Sequence, residues 1–77
     1  MEIKILGQGC SKCKSLYERT IQAKEDLNLD AEVIKVESIK DIVKYGVMRT
    51  PALVVENEVK VVGKVPTVDE IKTFLNK

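Results

Sequence analysis

The chain lacks histidine and tryptophan, and it contains only two cysteines in 77 residues. Without histidine, those two cysteines are the conspicuous chemistry of the sequence. Structural zinc normally needs four ligands, so a zinc site built from two thiolates would have to be shared between two chains. Two tyrosines and one phenylalanine are too few for a platform on which nucleic acid bases could stack.

Charge of one sign and long apolar runs are also missing. The 13 basic residues almost balance the 12 acidic ones, and the lysines are scattered, so no nucleic acid partner is expected. No apolar run approaches membrane-spanning length, which predicts no membrane contact. The first predicted strand begins at Glu2 and leaves no room for a secretory signal, so we expect a cytoplasmic protein.

The size and composition predict one globular domain over residues 1–77. The chain is 44% hydrophobic and 32% charged, as is typical of folded proteins and not of disordered ones. A chain of this length buries only roughly 60% of its unfolded surface, which is enough for a thin core. We expect a monomer that needs no cofactor and no metal ion.

The two cysteines, Cys10 and Cys13, stand three residues apart between a predicted strand and a predicted helix. A thiol at a helix N-terminus lies among unpaired N–H groups and near the positive end of the helix dipole, which favours the reactive thiolate. In a cytosolic chain such a pair is more often catalytic or metal-binding than structural, because so short a loop constrains little of the unfolded chain.

The hydrophobic pattern predicts an α/β fold in the order βαβ, α, ββα. The first βαβ unit should be parallel and the closing hairpin antiparallel, which gives a four-stranded mixed sheet flanked by helices. Strands are predicted at residues 2–6, 31–36, 52–55 and 59–62, with a turn at residues 56–58. The first helix is predicted over residues 11–27, closing near Asn28.

Capping signals define the other two helices. Ser38 and Asp41 predict a capping box ahead of a short helix that stops at Gly46, and Thr67 and Glu70 predict a second box. The short helix should turn Ile39, Ile42 and Val43 inward, and the last helix should do the same with Ile71, Phe74 and Leu75. On the first helix one face is predicted to be buried. That face comprises Cys13, Leu16, Tyr17, Thr20, Ala23 and Leu27, with Ile21 at its edge.

This face separates the two cysteines. Cys13 lies on the buried stripe and should be shielded, whereas Cys10 precedes the stripe and should lie at the mouth of the helix. Cys10 is therefore predicted to be the exposed thiol with the lower pKa.

The element order, the pair Cys10 and Cys13 and the later step Thr50-Pro51 together make the chain resemble the thioredoxin/glutaredoxin superfamily. The likeness is greatest to small thioredoxin-like redox-active disulfide proteins, and it covers essentially the whole chain. The resemblance implies a thioredoxin fold and a thiol–disulfide oxidoreductase that acts on disulfide-bearing proteins and is served by a disulfide reductase.

The resemblance also implies roles for individual residues. Cys10 would attack a partner's disulfide and Cys13 would resolve the mixed disulfide. Pro51 would be cis and face the cysteines, although cis bonds are a small minority of X-Pro bonds. Thr50 would pair its backbone with an extended substrate segment.

The positive charge of Lys12 and Lys14 near the thiols makes these lysines candidate modulators of the thiolate, with solvated helix-surface lysines as the simpler interpretation. The chain departs from the superfamily pattern at Gly9, where typical thioredoxins carry tryptophan, and at Ser11-Lys12 between the cysteines. It also lacks the complete Gly-Gly-x-x-Asp clamp, because Lys64 follows Gly63, so glutathione is not expected as a partner.

Three alternatives stay open. A soft-metal module could hold copper or zinc through the same cysteines, as heavy-metal-associated domains hold Cu(I). Those domains usually carry methionine where this chain has Gln8, and they end on a strand. A redox-sensing protein without catalytic activity is the second alternative, and a chance spacing of the two cysteines is the third.

Overall fold

The computed structural model describes residues 1–9 and 11–75, and its elements follow the predicted order. No helix within this part of the chain is long and apolar enough to cross a membrane. The last element of the described residues is a helix, as predicted, whereas the metal-binding domains of the alternative end on a strand. The elements are β1 (Glu2–Leu6), α1 (Ser11–Asp26), β2 (Glu32–Val36), α2 (Ile39–Lys44), β3 (Ala52–Val55), β4 (Glu58–Val62) and α3 (Val68–Leu75).

The four strands form one mixed sheet in the order β2-β1-β3-β4. Strand β1 is parallel to β2 and antiparallel to β3, and β3 is antiparallel to β4. The hairpin turns through Glu56 and Asn57, which both have positive φ angles of 49° and 66°. Such a turn matches the right-handed twist of the flanking strands. The predicted mixed sheet is confirmed.

Alternating side chains divide the core between the two faces of the sheet. Ile3 and Ile5 pack on one face with Leu16 of α1 and Ile71 of α3, whereas Leu6 packs on the other face with the α2 side of the molecule. This follows from the two-residue period of a strand. The face toward α1 and α3 carries the larger core. Cys13 lies on the buried side of α1.

Helix α1 buries the predicted stripe. Within it Cys13, Leu16, Thr20 and Ala23 are buried, and the Thr20 hydroxyl donates to the Leu16 carbonyl at 2.7 Å. The stripe residues Tyr17 and Leu27 are partly buried against the same core. Asn28 follows the helix with a φ of 53°, as the predicted helix end requires.

Helix α3 begins with the predicted capping box. The backbone N–H of Glu70 donates to the Thr67 hydroxyl, and the backbone N–H of Thr67 donates to the Glu70 carboxylate, each at 3.2 Å. Ile71 and Leu75 are fully buried and Phe74 is partly buried. The start signal and the inward face were both predicted correctly.

The prediction for helix α2 was wrong in two respects. The Ser38 side chain makes no capping hydrogen bond, so the predicted capping box is absent. The Asp41 carboxylate pairs instead with the Lys44 ammonium, 3.7 Å away. Of the predicted inward face only Ile42 is buried, at 6% exposure, whereas Ile39 and Val43 are 61% and 62% exposed. A six-residue helix turns only one narrow stripe toward the sheet.

A lysine lies on the α2 side of the sheet. The Lys4 ammonium donates to the Tyr45 hydroxyl at 2.5 Å and pairs with Glu2 at 3.3 Å. The hydrogen bond to Tyr45 raises the pKa of Lys4 above its ordinary value. Tyr45 and Glu2 together satisfy the ammonium of a lysine on a central strand.

Candidate functional site

The site begins where β1 ends and the chain turns into α1. The Gly7 N–H continues the sheet ladder by donating to the Val36 carbonyl at 3.0 Å. Gly9 takes a φ of 79°, a left-handed conformation that favours glycine. Helix α1 then starts at Ser11. Cys10 lies outside the described residues, so its exposure and low pKa stay predictions.

Cys13 lies in the first turn of α1 and is 5% exposed. It belongs to the buried face of the helix, so the prediction that it is shielded is confirmed. A thiol this buried is out of reach of a large protein partner, and a sulfur on a neighbouring residue of the same chain can approach it more easily. Burial therefore fits Cys13 better to an intramolecular step than to a first attack.

Gly7 is a residue of the site that the sequence did not reveal. A Cβ placed on Gly7 would overlap Cys13 Sγ and would lie 3.1 Å from Cys13 Cβ. The φ of Gly7 lies outside the left-handed region, so the glycine is needed for close approach and not for backbone conformation. The feature of the sequence that could have revealed Gly7 is its position directly after a predicted strand and just before the two cysteines.

The Thr50-Pro51 step lies beside the same glycine. The bond is cis, as predicted, and Pro51 is buried while Thr50 is exposed. A Cβ on Gly7 would come within 3.8 Å of Thr50 Cβ. The Gly63 N–H donates to the Pro51 carbonyl at 2.8 Å, which fastens the segment to the end of β4. The structure thus brings Thr50 close to Cys13, and the packing of the Pro51 ring against the cysteines stays a prediction.

A cavity of about 160 Å³ opens beside Cys13, between α1 and strand β2. Lys14 and Tyr17 line it from the helix, and Lys35 and Glu37 line it from β2 and the residue that follows. The Lys35 ammonium lies 4.4 Å from the centre of the Tyr17 ring, a cation–π distance. The structure therefore places Lys14 in the wall around Cys13, whereas Lys12 is simply exposed on the helix surface.

Lys35 and Glu37 received no role from the sequence. A signal existed, because β2 runs parallel to β1 and the carboxyl ends of parallel strands meet at one edge of a sheet. Residues that follow β2 are therefore neighbours of the segment that follows β1.

The described residues contain no group of three or more cysteine, aspartate or glutamate side chains arranged to hold a metal ion. Within that part of the chain, the chemistry near Cys13 consists of one thiol, two lysines, one carboxylate and one tyrosine.

The sequence is similar to known proteins over nearly its whole length. The family model described as "Thioredoxin domain" matches residues 1–76. A thioredoxin of Methanocaldococcus jannaschii is 40% identical over 73 residues, covering 95% of this chain and 84% of that protein. A thioredoxin of Methanothermobacter thermautotrophicus is 36% identical over 76 residues, covering 99% of each chain.

Proposed function

The chain belongs to the thioredoxin family of thiol–disulfide oxidoreductases, and from that membership we propose that it reduces protein disulfides in the cytosol through Cys10 and Cys13. Cys10 is the attacking nucleophile and Cys13 the resolving thiol. The observation that carries this division of roles is the burial of Cys13 in the first turn of α1, against Gly7.

The reaction proceeds in two exchanges. The Cys10 thiolate attacks one sulfur of the partner's disulfide, a mixed disulfide forms, and the partner's other sulfur leaves as a thiolate. Cys13, once deprotonated, attacks the Cys10 sulfur, so the partner leaves with both sulfurs reduced and a Cys10–Cys13 disulfide remains. A disulfide reductase then returns two electrons to the pair.

Burial of Cys13 favours this order of events. A thiol that is 5% exposed meets few foreign disulfides, but it reacts readily with a sulfur held three residues away on the same chain. Lys14, in the wall of the cavity beside Cys13, places a positive charge where the thiolate must form. Lys12 contributes to the same field from the exposed helix surface.

Thr50 and Pro51 form the edge on which the substrate segment lies. Thr50 is exposed next to Gly7 and precedes β3, so its backbone is available to pair with an extended peptide beside the cysteines. Pro51 is buried and its carbonyl accepts a hydrogen bond from the Gly63 N–H, which holds this edge in place. Slower amide exchange at Thr50 in a trapped complex with substrate would support this role.

The decisive experiment uses two single substitutions. Cys13→Ser should accumulate a mixed disulfide between Cys10 and a protein substrate, since only the second thiol releases the partner. Cys10→Ser should abolish reduction of the same substrate. Mass spectrometry reads the first result and a protein disulfide reduction assay the second. Undiminished activity of the Cys10→Ser protein would refute the mechanism.

A further inference from the structure

The fold sorts charged side chains that are scattered along the sequence between the two ends of the sheet. One end, the site end, is where β1, β2 and β4 finish and β3 begins, and helix α1 starts there at Ser11. At the opposite end, the far end, acidic residues lie at the strand ends or beside them and in the last turn of α1: Glu2, Glu25, Asp26, Asp30, Glu32, Glu56 and Glu58. The far end is therefore predominantly acidic, although Lys24 lies there too.

Basic side chains predominate at the site end. Lys12 and Lys14 are exposed on the first turn of α1. Arg49 is exposed directly before Thr50, and Lys64 is exposed two residues after the end of β4. Glu37, directly after β2, contributes a negative charge to the same end. The site thus lies at the positive end of a chain whose net charge is only +1.

The two ends also differ in how their charges are paired. Lysine ammonium groups partly neutralise the far end in three ion pairs: Lys4 with Glu2 at 3.3 Å, Lys60 with Glu58 at 2.8 Å and Lys72 with Asp26 at 3.0 Å. Within residues 1–9 and 11–75, Arg49 and Lys64 form no ion pair. Their positive charge is therefore available to a partner of opposite charge.

Arg49 and Lys64 adjoin the Thr50-Pro51 step from two sides. A Cβ placed on Gly63 would lie 3.4 Å from both Cβ and Cδ of Arg49, so the stem of this arginine runs along the glycine. The Gly63 N–H in turn donates to the Pro51 carbonyl at 2.8 Å, and Lys64 follows directly in the chain. We call Arg49 and Lys64 the basic edge.

The residue before Arg49 adds an apolar contact to the basic edge. Met48 is 95% exposed, and the flexible side chain of methionine adapts to apolar groups of different shape. Neither 48–51 nor 63–65 contains an aromatic residue on which a nucleic acid base could stack. Exposed backbone at Thr50, an apolar side chain and two positive charges together fit an acidic protein segment better than a nucleic acid.

We propose that the basic edge selects protein substrates whose disulfide lies in an extended acidic segment. The proposal rests on the proposed function, because it names the class of substrate that the Thr50-Pro51 edge receives. Aspartate or glutamate residues beside the substrate's disulfide pair with Arg49 and Lys64 while the segment lies along Thr50. Such complementarity raises the rate of encounter and disfavours segments that carry lysine or arginine in the same place.

Binding is measured first, without disulfide exchange. Two peptides differ only in the residues that flank a pair of serines, which are glutamates in one peptide and lysines in the other. Each peptide is titrated into the reduced protein and followed by the amide chemical shifts. The glutamate peptide should bind more tightly and shift Arg49, Thr50 and Lys64. Equal dissociation constants, or shifts confined to other residues, would overturn the proposal. A single-stranded oligonucleotide of the same charge that bound this edge as tightly would overturn it as well.

Charge substitutions show whether the basic edge is responsible for the preference. Arg49→Gln and Lys64→Gln should each lower the ratio of the two affinities about twofold to fivefold, the range for one exposed charge pair. Arg49→Lys keeps the charge and should keep most of the preference. Lys24→Gln makes the same change in net charge at the far end and should leave the ratio unchanged. The proposal fails if Lys24→Gln acts like Lys64→Gln, or if Arg49→Lys acts like Arg49→Gln.

Catalysis is measured second, with cysteines restored in both peptides as a disulfide. The glutamate peptide should be reduced with the higher kcat/KM. Raising the salt concentration from about 0.01 M to about 1 M shortens the range of charge interactions from about 30 Å to about 3 Å, so the two values should converge. Reduction of both peptides at equal rates in low salt would overturn the proposal. If neither peptide were reduced, the proposed function would fail, and the binding measurement would still decide whether the basic edge selects acidic segments.

Discussion

Replacing Gly7 by alanine should disturb the site through one atom. The added Cβ would overlap Cys13 Sγ and lie 3.1 Å from Cys13 Cβ, with Thr50 Cβ a further 3.8 Å neighbour. The sulfur must therefore move, because both the Gly7 backbone and the first turn of α1 are held by hydrogen bonds. The expected result is a folded protein with a displaced resolving thiol.

The magnitude follows from two opposing effects. Overfilling a packed site costs about 1–3 kcal/mol. Alanine also restricts the unfolded chain more than glycine does, which offsets about 0.4–1 kcal/mol of that loss. The φ of Gly7 adds no backbone strain. The two effects leave a net loss of roughly 0–2.6 kcal/mol, and from the middle of that range Gly7→Ala should lower the free energy of unfolding of the reduced protein by about 1–2 kcal/mol.

Urea unfolding of the reduced protein measures this change, and a second substitution isolates its cause. In a Cys13→Ala background the sulfur is absent, so Gly7→Ala should cost at least about 0.5 kcal/mol less than it does in the wild type. An equal cost in both backgrounds would show that Cys13 Sγ is not the obstacle, and it would refute the reasoning. The reductant is present throughout so that no disulfide contributes.

Three further predictions concern the scaffold. Hydrogen bonds from Lys72 and then Gln22 hold the pKa of Asp26 below its ordinary value of 3.8. The ionised Asp26 carboxylate therefore stabilises the folded protein above pH 3.8, and this contribution is lost as the pH falls below that value. Lys72→Gln should accordingly flatten the pH dependence of stability below about pH 4, and an unchanged profile in acid melts would contradict this. Thr67→Ala should lower the free energy of unfolding in urea by about 1 kcal/mol, because it removes the cap of α3. Thr67→Ser keeps the capping hydroxyl and should lose much less stability, and equal losses for the two variants would argue against capping. Gly46 has a φ of 73° and open space around its Cβ position, so Gly46→Ala should cost about 1–2 kcal/mol through backbone strain alone. Gly46→Asn should cost less in the same melts, and a larger loss for asparagine would rule out that cause.

Local signals in the sequence were sufficient for most of the fold. The Thr67 cap and the Asn28 helix end depend on residues within one turn of each other, so neighbours along the chain decide them. The burial of Cys13 follows from helical periodicity, because every third or fourth residue of α1 faces the sheet. These predictions needed no knowledge of what lies across the molecule. The pair of roles assigned to Cys10 and Cys13 depended on the same periodicity and on resemblance to a family.

Only the tertiary structure decided what surrounds Cys13. The approach of Thr50 and the cavity lined by Lys35 and Glu37 join segments that are distant in sequence, and the overlap at Gly7 depends on how closely α1 approaches the end of β1. No periodicity records such contacts, because they arise from strand order and from how closely α1 packs on the sheet.

The same reason explains the error at α2. Its apolar residues were expected to face inward, yet Ile39 and Val43 are exposed because the sheet accepts only Ile42 from so short a helix. The amino-acid sequence by itself determined the elements, their order and the burial of Cys13. Packing across the sheet determined the shape and charge of the space around that thiol, because those depend on contacts between distant residues.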